Sequence, residues 1–395
     1  MHRRKSGPLY LAVVLLVFAG VVFAAPAQKK TTTTKKTTTA KKTAVQTAKK
    51  KTAVSKKTTP ATLTRSQARR TRARRSPWTT PTFADSTSGD RTAGDDPVVR
   101  AAAVEALGPY NGSIVAVDPS TGRVLTMVNQ RVALKSGFQP CSTVKIPVAL
   151  AALAEGLIDS KTPVRLTSGT RMNLTHALAV SNNPYFANLG VKLGYERFAY
   201  YARLFGLGEK AGLNIEGEEP GYFADAPPKN GGMGMMASFG EGITLTPLQL
   251  AALLSAICNG GTLYYLQYPQ TQEEIDKFVP RIKRRLDIAE YIPHIKPGLM
   301  GAVEFGTARR AFYSPEAPIC GKTGTCTGGT THLGWFGSYS DFGENKIVVV
   351  VLLTGGYGVS GPTAAEIAGN MYRRLHREGY FARRPVFSPA ILVPR

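Results

Sequence analysis

The sequence predicts a mixed α/β fold of the α+β kind: an antiparallel, mainly five-stranded sheet flanked by helices, with a mostly helical lobe inserted between strands two and three. Three observations carry this. Two short β-branched and apolar runs flank Asp118-Pro119-Ser120-Thr121-Gly122, the grammar of a hairpin. From Ser142 to about Arg310 the pattern is helical in period and broken by Gly- and Pro-containing loops such as EGEEPGYF and APPKNGGMG. Strand character then returns in APICGKTGT, THLGWFGSYS and KIVVVVLLT, and a helix from Thr363 to about Arg377 closes the domain.

Taken from the N-terminus, His2-Arg3-Arg4-Lys5 precedes an uncharged apolar run from Leu9 to Ala25 and the small-residue segment Ala25-Pro26-Ala27. Residues 1–27 therefore read as a secretory signal peptide or an uncleaved signal anchor. Residues 28–94 read as a linker, and up to about residue 76 they are nearly all Lys, Thr, Ala and Arg. Such a stretch has too little apolar surface to offset its ordering entropy and is expected to be disordered. It serves as a self-repelling tether or holds to anionic envelope polymers or lipid headgroups. The basic run after the apolar segment opposes the positive-inside bias, an objection to export that the chemistry below outweighs.

The charge is unevenly placed. The formal charge is +24, from 50 Lys+Arg against 26 Asp+Glu, yet residues 1–84 hold 20 of the basic residues and no acidic one. The remainder is close to balanced, so a nucleic-acid partner is not expected. The folded domain is expected over 95–380, starting with DDPVVRAAAVEAL as a helix with acidic residues at its start, and residues 381–395 read as a tail. At 395 residues the chain can bury one large core or two modest ones. No repeat of fixed period and no phosphate-cradling loop appears. The cleft of a domain built from a sheet and a lobe lies where the two meet.

Cys141, Cys258, Cys320 and Cys326 include no C-x-x-C pair, and no His lies near them at ligand spacing, so neither a metal site nor a cofactor is expected. Cys320 and Cys326 cannot bond to each other, because six strand residues hold them about 20 Å apart.

Three short patterns carry chemistry. Ser142-Thr143-Val144-Lys145 opens a helix, and the i, i+3 spacing puts the hydroxyl and the amine on one face. A lysine desolvated beside another cation can be neutral enough to take the hydroxyl proton. Ser181-Asn182-Asn183 follows on a loop of the helical lobe. Lys322-Thr323-Gly324 comes last, on a predicted strand, where Gly324 lets a ligand backbone approach closely. Each pattern occurs once, in the order S-x-x-K, S-x-N, K-T-G.

With these motifs, and with the segments FQPCSTVKIPVALAAL, ASFGEGITLTPLQLAALLSAICNGG and GKTGTCTGGTTHLGWFGSY, the chain resembles the penicillin-binding protein transpeptidases and their serine β-lactamase relatives. The resemblance covers most of residues 110 to 375. It implies a serine D,D-transpeptidase acting on the D-Ala-D-Ala stem peptides of peptidoglycan through an acyl-enzyme, and acylated by β-lactam antibiotics. Ser142 is then the nucleophile, Lys145 its base, and Ser181 the relay of a proton to the leaving amine. Asn183 holds the substrate amide, and Lys322, Thr323 and Thr325 its carboxylate. The backbone N–H groups of Ser142 and Thr325 form the oxyanion hole. Lys322 supplies the second cation beside Lys145.

Some class A β-lactamases carry cysteines at the positions matching Cys141 and Cys326, joined across the active-site edge. The resemblance therefore implies a Cys141–Cys326 disulfide, suited to an exported, extracytoplasmic protein with its catalytic domain in the periplasm or cell wall. No E-x-x-L-N segment follows the S-x-N loop to activate a deacylating water, and this disfavours fast hydrolysis. D,D-carboxypeptidase and serine β-lactamase activities are the enzymatic alternatives. A catalytically idle domain that senses β-lactam or muropeptide, or a cell-wall scaffold, is the non-enzymatic one.

Overall fold

The computed structural model describes residues 78–382 apart from positions 136, 167–168 and 313. The leader at 1–27, most of the basic linker and residues 383–395 lie outside the described residues. Among the described residues no helix is long and apolar enough to cross a membrane.

The five expected strands are β1 (Gly112–Asp118), β2 (Arg123–Val128), β3 (Cys320–Gly328), β4 (Thr331–Ser340) and β5 (Ile347–Gly355). They form one sheet in the order β2-β1-β5-β4-β3, with every neighbouring pair antiparallel. The uninterrupted apolar run of β5 follows from its central place, where both faces are covered and all nine residues are buried. Val348, Val350 and Leu352 face one core with the helical lobe, while Val349, Val351 and Leu353 face the other. On that second side lie α1 (Pro97–Leu107), capped by Asp96, and the C-terminal helix described below.

The insertion between β2 and β3 holds the lobe. Its helices that matter to the site are α2 (Lys145–Ala154), α3 (Leu174–Ala179), α4 (Asn183–Leu193), α5 (Gly232–Phe239), α6 (Pro247–Cys258) and α7 (Ile292–Glu304). All twelve residues of α6 are buried, as befits a helix enclosed on every side, and a Thr246/Gln249 capping box starts it. Helix α6 packs close on the sheet at Gly337, where a Cβ would lie 2.7 Å from the Leu254 side chain. Helix α8 (Gly361–Arg377), capped by Ser360, closes the fold.

Two boundaries differ from expectation. Ordered structure starts before Asp95: the Thr79 N–H donates to the Thr330 carbonyl at 3.1 Å, the Asn111 N–H to the Thr82 carbonyl at 2.9 Å, and Phe83 bridges Tyr110. The Trp78 ring lies 3.8 Å from His332, so residues 78–84 form a strap over the β3–β4 hairpin tip. Backbone bonding of this kind needs no apolar periodicity, which is why composition places it in the linker. At the other end the domain runs past 380, since Phe381 is buried and its carbonyl accepts the Glu344 N–H. The lobe also contains a short ribbon, Thr262–Tyr265 against Arg281–Arg285, whose basic second strand carries no apolar alternation.

Candidate active site

A single 3-10 turn, Cys141–Val144, leads into α2. Cys141 and Thr143 are buried, and Ser142 is half-exposed between them. The Thr143 hydroxyl and N–H both donate to the Pro140 carbonyl, at 2.7 and 3.2 Å, and this pins the turn. One turn on, Lys145 is 0% exposed. Its Nζ lies 2.6 Å from Ser142 Oγ, 2.7 Å from Asn183 Oδ1 and 2.8 Å from the Ser238 carbonyl.

Those three partners suit either protonation state. As an ammonium Lys145 donates to three oxygens; as a free amine it donates to the Asn183 and Ser238 oxygens and presents its lone pair to the Ser142 O–H. No group must move when the proton crosses. Burial brings the Lys145 pKa from 10.5 down to about 7.

The second motif is bent around its first residue. Ser181 adopts φ +57°, a left-handed conformation uncommon outside glycine, at the junction between α3 and α4. Asn182 caps α4 by accepting the Tyr185 N–H at 2.8 Å, and this sets Asn183 in the first turn, aimed at Lys145. Ser181 Oγ accepts a hydrogen bond from Lys322 Nζ at 2.7 Å. Lys322 is also 0% exposed and donates to the Thr323 carbonyl at 3.0 Å. Burial, and then the neighbouring Lys145, hold the Lys322 pKa well below the usual lysine value.

Strand β3 is the sheet edge, and its side chains alternate. Lys322, Gly324 and Cys326 face the Ser142 turn. At Gly324 a Cβ would lie 2.9 Å from the Pro140 carbonyl and 3.3 Å from Cys141 Cβ. Its glycine is thus already required by the turn that carries Ser142. Cys141 and Cys326 are joined by a disulfide, Cα atoms 5.6 Å apart. Thr323 and Thr325 lie on the opposite side of the strand: Thr323 Oγ1 is 2.6 Å from Thr307 Oγ1, and Thr325 Oγ1 accepts the Gly361 N–H at 2.8 Å. Thr323 is buried, whereas Thr325 is exposed.

Ser142, Lys145, Ser181, Asn183 and Lys322 thus converge, with Gly324 alongside. Two contributors escape sequence reasoning. Ser238 acts through a backbone carbonyl, which no side-chain pattern marks, and Thr307 sits in a Gly-Thr-Ala stretch without a motif. Among the described residues no cluster of His, Cys, Asp and Glu is placed to hold a metal. A cavity of about 550 Å³ lined by Arg91, Leu213, Tyr268 and Phe278 shares none of these residues.

The model of the penicillin binding protein transpeptidase domain matches residues 112–373. Stage V sporulation protein D of Bacillus subtilis is 29% identical over 309 residues, covering 68% of this chain and 48% of that protein. The peptidoglycan D,D-transpeptidase PbpA of Mycolicibacterium smegmatis is 25% identical, covering 72% of each chain. The chain spans about half or less of the length of the first curated relatives it matches. Among solved structures, Pseudomonas aeruginosa PBP2 superposes with a TM-score of 0.64 at 23% identity, covering 75% of this chain and 80% of the other. That likeness is one of fold.

Proposed function

Because this chain belongs to the penicillin-binding protein transpeptidase domain family, we propose that it is a serine D,D-transpeptidase that acts on peptidoglycan stem peptides ending in D-Ala-D-Ala. Ser142 Oγ attacks the carbonyl of the penultimate D-Ala while its proton passes to Lys145 Nζ. The tetrahedral oxyanion is held by the backbone N–H groups of Ser142 and Thr325. The C–N bond breaks, Ser181, backed by Lys322, delivers a proton to the departing D-Ala amine, and the acyl-enzyme remains. An acceptor amine then attacks the ester and returns Ser142 as a hydroxyl. Asn183 orients the substrate amide, and Lys322 draws in the terminal carboxylate. Of the two threonines assigned to that carboxylate, Thr325 is the better placed. It is exposed and keeps its O–H free to donate while accepting from Gly361, whereas Thr323 is engaged with Thr307. β-Lactams acylate the same serine by the same first step.

The observation that carries this reading is the buried amine of Lys145 held against the Ser142 hydroxyl with partners for both of its states. Deacylation by water, as in a β-lactamase or a carboxypeptidase, needs a group to activate that water. Among the described residues the partners of Ser142, Lys145, Ser181 and Lys322 are hydroxyls, an amide, amines and carbonyls, with no carboxylate. This favours transfer over fast hydrolysis. The Cys141–Cys326 bond supports an extracytoplasmic site, with the leader as signal peptide or anchor and the basic linker resting on anionic envelope polymers or headgroups. The test is timed labelling with a fluorescent penicillin, with Ser142→Ala as control. A long-lived label that the variant lacks supports a transpeptidase. Rapid turnover indicates a hydrolase, and no label an idle sensing domain.

A further inference from the structure

Residues 305–308 follow α7 and bond to chain neighbours of both members of the proton-delivery pair, Ser181 and Lys322. The Thr307 N–H donates to the Ala179 carbonyl at 3.1 Å, at the end of α3 and two residues before Ser181. The Thr307 hydroxyl lies 2.6 Å from that of Thr323, the residue after Lys322. Lys322 and Thr323 point to opposite faces of β3, so this contact grips the strand from behind while Lys322 reaches forward to Ser181. The residue before Thr307 must be glycine: a Cβ at Gly306 would lie 2.1 Å from the Ala179 carbonyl oxygen and 2.8 Å from Ala302 Cα. The Ala308 N–H, donating to the Ala302 carbonyl at 2.8 Å, ties the far side of the turn to α7. A left-handed serine persists only where its surroundings over-determine it, and this turn is bonded to the segment that leads into Ser181.

We propose that Thr307 is a positioning residue that clasps the end of α3 to β3 and so keeps the Ser181 hydroxyl within hydrogen-bond reach of the Lys322 amine. It touches no reacting atom. Its role is in delivery of the proton to the leaving amine, and it rests on the transpeptidase reading above. Without the clasp the two groups lose registry, and the step that suffers is departure of a basic nitrogen. Departure of a thiolate, which needs no proton, is spared.

The test compares Thr307→Val with the wild-type chain on two donors that share one acyl part, a D-alanyl-D-alanine peptide and its thiolester analogue. The valine variant keeps the backbone bond to Ala179 and loses the hydroxyl. The expected result is a drop of about 10- to 100-fold in acyl transfer from the amide, a part of what general acid catalysis supplies, with the thiolester rate within about two-fold. Thr307→Ser is expected to restore the amide rate. Equal losses on both donors, or no loss on the amide, overturn the assignment. A wild-type chain that acylates from neither donor overturns the transpeptidase reading and this one with it. Should the valine variant fail to fold, Thr307→Ala, which empties the space instead of refilling it, carries the same comparison.

Discussion

The acylation rate is expected to follow the ionisation of Lys145. In the proposed mechanism its free amine takes the Ser142 proton, so the rate constant is proportional to the neutral fraction. A solvated lysine of pKa 10.5 would give a rate rising tenfold per pH unit throughout pH 5 to 9. Burial places the value at about 7 instead, and the curve should bend there. At pH 5, two units below, the neutral fraction is about 1%, so acylation is expected to run about 100-fold below a plateau reached by pH 8 to 9. Because Lys322 lies close enough to be shifted by Lys145, the observed midpoint belongs to the pair. The assay is pseudo-first-order labelling with a fluorescent penicillin in buffers of constant ionic strength, with Lys145→Met as the baseline. A rate still climbing tenfold per unit at pH 9, or one independent of pH, would refute the assignment of Lys145 as base.

The same burial bears on stability. The folded-state pKa of Lys145 lies below its unfolded value of 10.5, so the unfolded chain binds more protons between the two. Wild-type stability should therefore rise with pH above 7 relative to Lys145→Met, approaching about 1.4 kcal/mol per unit in urea melts. The buried thiols of Cys258 and Cys320, pushed up to about 12 and 11, are common to both proteins and cancel in this difference. The Cys141–Cys326 bond spans 185 residues, and Cys326→Ser should cost about 2–5 kcal/mol by denaturant titration. A thiol titration of denatured, unreduced protein should find two thiols, from Cys258 and Cys320; four would dismiss the bond. Gly324→Ala drives a methyl into the Pro140 carbonyl and should slow acylation at least tenfold, while an unchanged rate would show that the turn yields freely.

Much of this was legible in the chain because the relevant signals are local. The β5 strand reads as an apolar run, the β1–β2 hairpin as turn residues between two such runs, and each motif as a short string. What escaped has no local signature. Ser142 and Asn183 were readable as members of motifs, but the third partner of Lys145 is a peptide carbonyl at Ser238, which any residue could supply. Thr323 lies within a motif, yet strand alternation turns its hydroxyl to Thr307, a contact that depends on where α7 ends. The strap at 78–84 is held by main-chain bonds to Thr330 and Asn111 and by one ring pair, so composition could not separate it from the basic stretch before it.

That strap decides where a pull is felt. The polypeptide before Trp78 joins the domain at the tip of the hairpin whose first strand carries Lys322, and Cys326 lies on the same hairpin, bonded beside Ser142. A pull on the polypeptide before Trp78 would therefore be delivered to the hairpin that carries Lys322 and, through the disulfide, to the Ser142 turn. The point where the chain enters the described domain and the candidate site share one lever arm.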